Sequence, residues 1–138
     1  RNRIVHKYKP KIIVVYEGDN DIAAGLTAGQ VLEDYEDFIT YVEDTLPNAK
    51  VCFIAIKPSV RREALWPTMS EVNQEMRQRA ETQPNLCFFN IGPPMLNKNG
   101  GPRPDLFVSD GLHLNSKGYG IWTETIRPRL SEMWSEAE

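Results

Sequence analysis

The sequence has few cysteines and no long apolar run, and each shortage excludes a class of protein. Two cysteines among 138 residues are too few for a disulfide-stapled scaffold. Cys52 and Cys87 both lie in apolar runs, which is typical of small, buried, free thiols. The longest apolar run, residues 51–56, is far shorter than the roughly 18 residues of a membrane span. The sequence therefore predicts no transmembrane helix.

An excess of positive charge is also lacking. Sixteen Lys and Arg residues stand against 19 Asp and Glu residues, giving a formal net charge of −3, whereas a nucleic-acid-binding module normally carries a basic face. Neither glycine-rich phosphate motif, G-x-x-x-x-G-K-[ST] or G-x-G-x-x-G, occurs, which argues against a phosphate-binding α/β domain. We therefore predict no nucleic-acid partner.

Three continuous apolar segments are present, separated by segments with helical periodicity. The segments at 11–16, 50–56 and 86–91 lack the alternation of a half-exposed strand, so they predict parallel strands that are covered on both faces. A Gly-, Pro- and Asn-rich stretch at 92–105 predicts a long loop that is too polar for the core. Such an order of elements is typical of a parallel sheet with helices packed on it.

The helix boundaries carry recognisable signals. Thr27 and Gln30 predict a capping box at the start of a helix that runs to about Leu46. Pro67 suits the first turn of a second helix. The last helix is predicted from about Ser116, with Pro128 expected to kink or split it.

The first candidate functional segment, Gly18-Asp19-Asn20-Asp21, follows the first predicted strand. Ligands of open parallel sheets bind at the carboxyl ends of the strands. The Asn20 amide is a neutral donor that can stabilise an oxyanion, and Gly18 allows an unusual backbone conformation. The same residues are also compatible with a simple turn and helix cap. The spacing of the two aspartates resembles a calcium loop, but the later positions of that loop are occupied by other residue types.

The second candidate segment contains Asp110, Gly111 and His113, just before the last helix. An aspartate three residues before a histidine can accept the imidazole Nδ1–H, which leaves Nε2 free as a general base. Gly111 makes the required tight turn possible. A zinc site needs three or four ligands, so we predict no metal. The other histidine, His6, lies in a charged N-terminal phrase and is predicted to be solvated.

Together, the two segments resemble a known family. YEGDND and SDGLHLNSKGYGIW look like blocks III and V of the SGNH, or GDSL-type, hydrolases, in the same order and separated by most of the chain. The resemblance implies a three-layer α/β/α sandwich with a flavodoxin-like parallel sheet. It implies that Asn20 is the oxyanion-hole amide, His113 the general base and Asp110 its orienting acid. Gly18, Asp21 and Gly111 would be supporting loop residues.

The family's nucleophile is missing from this sequence. In the family it is the serine of an N-terminal G-D-S block, and no serine here follows G-D. Ser59, at a strand end, is a weak substitute. The chain begins with Arg1 and shows no signal peptide, which leaves its compartment open. We therefore expect residues 1–138 to form one domain that lacks the first strands of the family fold. Residues 11–16 would then be an exposed edge that can self-associate.

The resemblance favours a carboxylic ester hydrolase of the serine type. Its substrate would be a small-molecule ester, and it would need no cofactor. The alternative is a truncated, catalytically inactive domain that binds without turnover. In either case the chain by itself is expected to be inactive, because it has no nucleophile.

Overall fold

A computed structural model describes residues 11–137 of the chain, so the prediction for His6 lies outside the described residues. The core is a parallel three-stranded sheet in the order β1-β2-β3. Its strands are β1 (Ile12–Val15), β2 (Lys50–Ile54) and β3 (Leu86–Phe89). They lie inside the three segments that the apolar runs predicted, which confirms a parallel sheet.

Within residues 11–137, four α-helices accompany the strands. They are α1 (Asp19–Ala23), α2 (Ala28–Thr45), α3 (Trp66–Thr82) and α4 (Ser116–Ala137). Three short 3-10 turns occupy Glu63–Leu65, Pro93–Met95 and Pro104–Leu106. The sequence predicted α2, α3 and α4 but assigned the α1 segment to a loop, which was wrong. A five-residue helix shows too little periodicity to be recognised.

The predicted capping box at the start of α2 is confirmed. The Thr27 hydroxyl accepts a hydrogen bond from the Gln30 backbone N–H at 3.2 Å, and the Gln30 side chain accepts one from the Thr27 N–H at 2.9 Å. These bonds satisfy two backbone donors that the first helical turn would otherwise leave free. The helix then buries a stripe of side chains at helical spacing, namely Ala28, Val31, Tyr35, Ile39 and Val42.

Helices cover both faces of the sheet. Alternate strand residues such as Val51 and Phe53 join the main core with α2 and α3. The intervening residues, including Cys52, Cys87 and Phe89, pack with Met133 of α4 on the other face. The result is a three-layer α/β/α arrangement, which confirms the predicted fold class. Neither face of β2 is open to water, which explains why its sequence does not alternate.

The two cysteines are free and buried, as predicted. Cys52 and Cys87 lie opposite each other on neighbouring strands. The Cys87 sulfur is 3.7 Å from the Met133 sulfur. Both thiols therefore act as small apolar side chains beneath α4.

Two local features differ from the sequence-based expectations. Pro128 does not split the last helix, which runs from Ser116 to Ala137 with the proline inside, whereas a kink at this position stays a prediction. The proline and Glu124, whose carbonyl loses its helical donor, are both exposed, so water can replace the missing hydrogen bond. The 92–105 stretch does contribute to the core, because Met95 is fully buried. A short turn, Pro93–Met95, carries this side chain inward between the exposed Pro94 and the half-buried Leu96.

The first strand lies at the edge of the sheet within residues 11–137, since β1 pairs only with β2 there. Val14 on β1 is 43% exposed, an unusual exposure for a valine in a parallel sheet. Over the same residues, no helix combines the length and apolar character needed to cross a membrane.

Candidate active site

The end of β1 delivers Asn20 to the sheet edge through a sharp turn at Gly18. Gly18 has a φ of +102° and forms the N-cap of α1. A Cβ at this position would lie 2.8 Å from the Ile56 Cδ1 and 3.1 Å from the Tyr35 hydroxyl. Both the backbone conformation and the close packing therefore require glycine. The turn places Asn20 in the first turn of α1, where the residue is exposed.

Asp110 takes part in three hydrogen bonds with the histidine loop, two of them with His113. Its Oδ1 accepts the backbone N–H groups of Leu112 and His113, each at 2.9 Å. Its Oδ2 lies 2.5 Å from the His113 Nδ1. The His113 side chain, followed by the two backbone donors, lowers the pKa of the Asp110 carboxyl well below its usual range. An ionised carboxylate can only accept, so it selects the imidazole tautomer with a proton on Nδ1.

The loop that carries this pair turns tightly at Gly111, which has a φ of +68°. The Gly111 N–H donates to the Val108 carbonyl at 3.0 Å, and the Val108 N–H donates to the His113 carbonyl at 2.9 Å. These bonds close the loop on itself. The Gly111 carbonyl in turn accepts the Arg61 N–H at 2.9 Å, which ties the loop to the segment after β2.

Asn115 joins this loop to α4. Its side-chain NH₂ donates to the Asp105 carbonyl at 2.9 Å, and its side-chain oxygen accepts the Gly118 N–H at 3.0 Å. Its backbone N–H donates to the Leu106 carbonyl at 2.9 Å. The histidine loop is therefore fixed to the first turn of the last helix.

Asn20 and His113 line the same cleft, which has a volume of about 310 Å³. The His113 side chain is 72% exposed, so its Nε2 edge is accessible from solvent. The predicted supporting residues Gly18, Asp21 and Gly111 are not among the residues that line this cleft. The cleft is lined by Tyr16, Asp19, Asn20, Lys57, Arg62, Leu112, His113, Leu114, Tyr119 and Trp122.

Ser59 does not belong to this cleft. It is 2% exposed, and its hydroxyl oxygen accepts the Arg62 backbone N–H at 3.3 Å. A buried hydroxyl in this position has no path to the carbonyl carbon of a bound ester. The structure therefore gives no support to Ser59 as a substitute nucleophile.

A buried ion cluster forms one wall of the cleft, and sequence reasoning missed it. Lys57 Nζ donates to the Asp19 Oδ2 at 2.9 Å, and the Arg62 Nη1 donates to the Asp19 Oδ1 at 2.6 Å. Burial opposes ionisation of Asp19, but the hydrogen bonds from the two cations outweigh it and lower the pKa of the carboxyl. Two cations on one carboxylate leave this wall with net positive charge. The only sequence signal was a lysine directly after an apolar strand.

The Tyr16 hydroxyl completes the cluster by donating to the Asp19 Oδ2 at 3.3 Å. Burial and the nearby carboxylate raise the pKa of Tyr16 far above its usual range, so the phenol stays protonated. Its ring meets the Trp122 ring edge-on, with centroids 5.1 Å apart. Trp122 thus lies against Tyr16 in the lining of the same cleft.

Trp66 and part of the 92–105 loop line a separate cavity of about 360 Å³, together with Asn73 of α3 and Asn90 after β3. Asn73 links α3 to the segment that follows β2, because its amide oxygen accepts the Ile56 N–H at 2.8 Å and its NH₂ group donates to the Ile56 carbonyl at 2.9 Å. Across residues 11–137 there is no cluster of three or more His, Cys, Asp or Glu residues that could hold a metal ion.

We compared the sequence with models of known protein families. The model of the GDSL-like Lipase/Acylhydrolase family matches residues 1–121. The chain belongs to the GDSL-like lipase/acylhydrolase family. This confirms the resemblance inferred from the two sequence segments. A search of curated protein sequences finds no match.

Several solved structures share the fold. A carbohydrate esterase family 3 protein from Talaromyces cellulolyticus is similar with a TM-score of 0.80 and 23% identity, covering 96% of this chain and 62% of that protein. A mutant acetyl esterase with an acetate ion gives a TM-score of 0.81 and 23% identity, covering 97% and 63%. A GDSL-like lipase from Bacteroides thetaiotaomicron gives 0.76 and 17%, covering 94% and 69%. The chain thus spans less than two thirds of the first two proteins.

Proposed function

We propose that this chain supplies the general base and an oxyanion-hole donor of a carboxylic ester hydrolase. The observation that carries the proposal is one cleft shared by the Asn20 amide and the His113 imidazole. The Nδ1 of that imidazole is held 2.5 Å from Asp110, so its other nitrogen is left for chemistry. The family assignment supports the same reaction class.

In the proposed mechanism, a serine hydroxyl attacks the ester carbonyl while the His113 Nε2 takes its proton. The Asp110 carboxylate stabilises the imidazolium that forms. Negative charge develops on the carbonyl oxygen, which accepts a hydrogen bond from the Asn20 NH₂ group. The alcohol leaves with the proton from His113, and water then hydrolyses the acyl-serine with the same base.

We propose that the serine comes from a G-D-S segment, because no serine of these 138 residues follows G-D. In a GDSL fold that segment follows a strand beside β1, and β1 has an unpaired edge within the described residues. We further propose that residues 1–138 form one domain whose sheet continues across this edge.

We propose a short-chain carboxylic ester, such as an acetylated sugar, as the substrate. Two similar structures are described as a carbohydrate esterase and an acetyl esterase. The cleft of about 310 Å³ has room for a small acyl group and part of its alcohol. Its aromatic wall of Tyr16 and Trp122 suits the apolar face of a sugar ring.

The test measures p-nitrophenyl acetate hydrolysis by the chain supplied with a G-D-S-containing strand and turn. We expect His113→Ala to lower kcat by about 100- to 10,000-fold, since it removes the general base. His6→Ala is the matched control, because His6 is the other histidine of the chain. Equal activity of wild type and His113→Ala would refute the assignment of the base.

The alternative function is a domain that binds esters without turnover, and the absent nucleophile favours it. For the chain alone, we expect no hydrolysis under either hypothesis. The two separate when the serine segment is added, because only the esterase then gains a rate. Hydrolysis by the pure chain alone would show that another group acts as nucleophile.

A further inference from the structure

An asparagine amide can turn either its oxygen or its NH₂ group toward a cleft, and only the NH₂ group can donate to an oxyanion. Arg62 removes this ambiguity for Asn20. The Arg62 Nη1 lies 3.1 Å from the Asn20 Oδ1, and a guanidinium has donors but no acceptor. The amide oxygen must therefore face Arg62, which leaves the NH₂ group free to face a substrate.

We propose that Arg62 is a positioning residue that fixes the orientation of the Asn20 amide for oxyanion binding. This inference rests on the proposed function. Arg62 would act through Asn20 and need not touch the substrate's reacting atoms. Its role is to keep the donor from rotating away, which raises the fraction of molecules ready for reaction.

The buried ion cluster makes Arg62 rigid enough for this role. The same Nη1 atom that contacts Asn20 is held at 2.6 Å by the Asp19 Oδ1. The Asp19 side chain is only 9% exposed and is also paired with Lys57 at 2.9 Å. A buried carboxylate that lost one of its cations would be destabilised, so Arg62 is strongly held in place.

The backbone around Arg62 connects the two halves of the site. The Arg62 N–H donates to the Ser59 hydroxyl at 3.3 Å, and the adjacent Arg61 N–H donates to the Gly111 carbonyl at 2.9 Å. One segment thus contacts the Asn20 amide on one side and the histidine loop on the other. It sets the spacing between the proposed donor and the proposed base.

The direct test is ¹⁵N relaxation of the Asn20 side-chain NH₂ group in the 138-residue chain. In wild type, we expect an order parameter near that of rigid backbone, about 0.85, and in Arg62→Met a value below about 0.6. Arg61→Met is the matched control, because Arg61 is exposed and contacts Gly111 only through its backbone. If Arg62→Met does not fold, Arg62→Lys replaces it. The shorter lysine keeps the charge beside Asp19 and should lose the contact to Asn20.

A kinetic double-mutant cycle tests the same inference with the serine segment added. We expect Arg62→Met to lower kcat by about 10- to 100-fold with little change in KM. In an Asn20→Ala background, we expect no further loss from Arg62→Met, because the residue acts through the missing amide. A general structural role would instead lower kcat by the same factor in both backgrounds.

The outcomes separate this inference from the proposed function. An Asn20 NH₂ group that stays equally ordered in both Arg62 variants overturns the positioning role. A loss of order in those variants, with no hydrolysis in any form of the protein, supports the contact and refutes the esterase. Additive losses of kcat also overturn the inference while leaving the esterase intact.

Discussion

Replacing Gly18 by alanine tests the turn that delivers Asn20 to the cleft. Alanine at a φ of +102° costs about 1–2 kcal/mol in backbone strain. Its methyl group would also lie 2.8 Å from the Ile56 Cδ1, and overpacking of this kind costs about 1–3 kcal/mol. We therefore expect Gly18→Ala to lower the free energy of unfolding by about 2–5 kcal/mol in total.

Gly25→Ala isolates the backbone contribution. Gly25 has a φ of +105°, but nothing lies within 4 Å of a Cβ built on it. Its substitution should therefore cost only the strain, about 1–2 kcal/mol. Urea unfolding followed by circular dichroism measures both variants against wild type.

Ile56→Val provides a second check, because it removes the Cδ1 atom that the new methyl group would meet. In the Ile56→Val background, Gly18→Ala should lower the free energy of unfolding by less than it does in wild type, and the difference measures the repulsion between the new methyl group and the Ile56 Cδ1. If Gly18→Ala and Gly25→Ala were equally destabilising, and Ile56→Val changed neither, the close packing described here would be wrong.

Three further predictions concern the core, the ion cluster and the sheet edge. Asn73→Ala should lower the free energy of unfolding by about 1–3 kcal/mol, because the backbone N–H and carbonyl of Ile56 lose their hydrogen-bond partner. Gln74→Ala, at the exposed neighbouring position, is the control and should change the free energy little, as measured by urea unfolding. Because folding lowers the pKa of Asp19, its ionised carboxylate stabilises the fold at pH values above 3.8, the pKa in the unfolded chain, and this stabilisation is lost as the pH falls through the lower pKa of the folded state. Asp19→Asn should therefore reduce the loss of unfolding free energy at acid pH, and an unchanged dependence on acid pH would contradict the prediction. The chain should associate with increasing concentration in sedimentation experiments, and Val14→Lys should reduce association more than Val108→Lys, a substitution at an equally exposed valine away from the edge.

The layered fold could be predicted because its signals are local and strong. Residues 50–54 are covered on both faces, so their apolar run does not alternate, and this identified a parallel strand. Thr27 and Gln30 satisfy each other's backbone donors, so they marked the helix start to the residue. The Asp110–His113 pairing is also local, since the two side chains lie three positions apart in the chain.

The ion cluster could not be predicted because its members are far apart in the chain. Asp19 and Arg62 are separated by 43 residues, and their contact depends on how β1 and β2 pair. A lysine after a strand predicts a solvated end, whereas Lys57 is only 8% exposed. The core position of Met95 was missed for a different reason: the prolines and polar residues around it are typical of an exposed loop, and a single apolar residue among them does not indicate burial.

Gly118 has a consequence for how the molecule can move. A single methyl group there would lie 2.5 Å from the Leu106 carbonyl oxygen and 2.8 Å from the Leu114 Cδ2, so the last helix and the preceding loop touch at this point without a gap. Any sliding of that helix over the sheet must carry the imidazole with it.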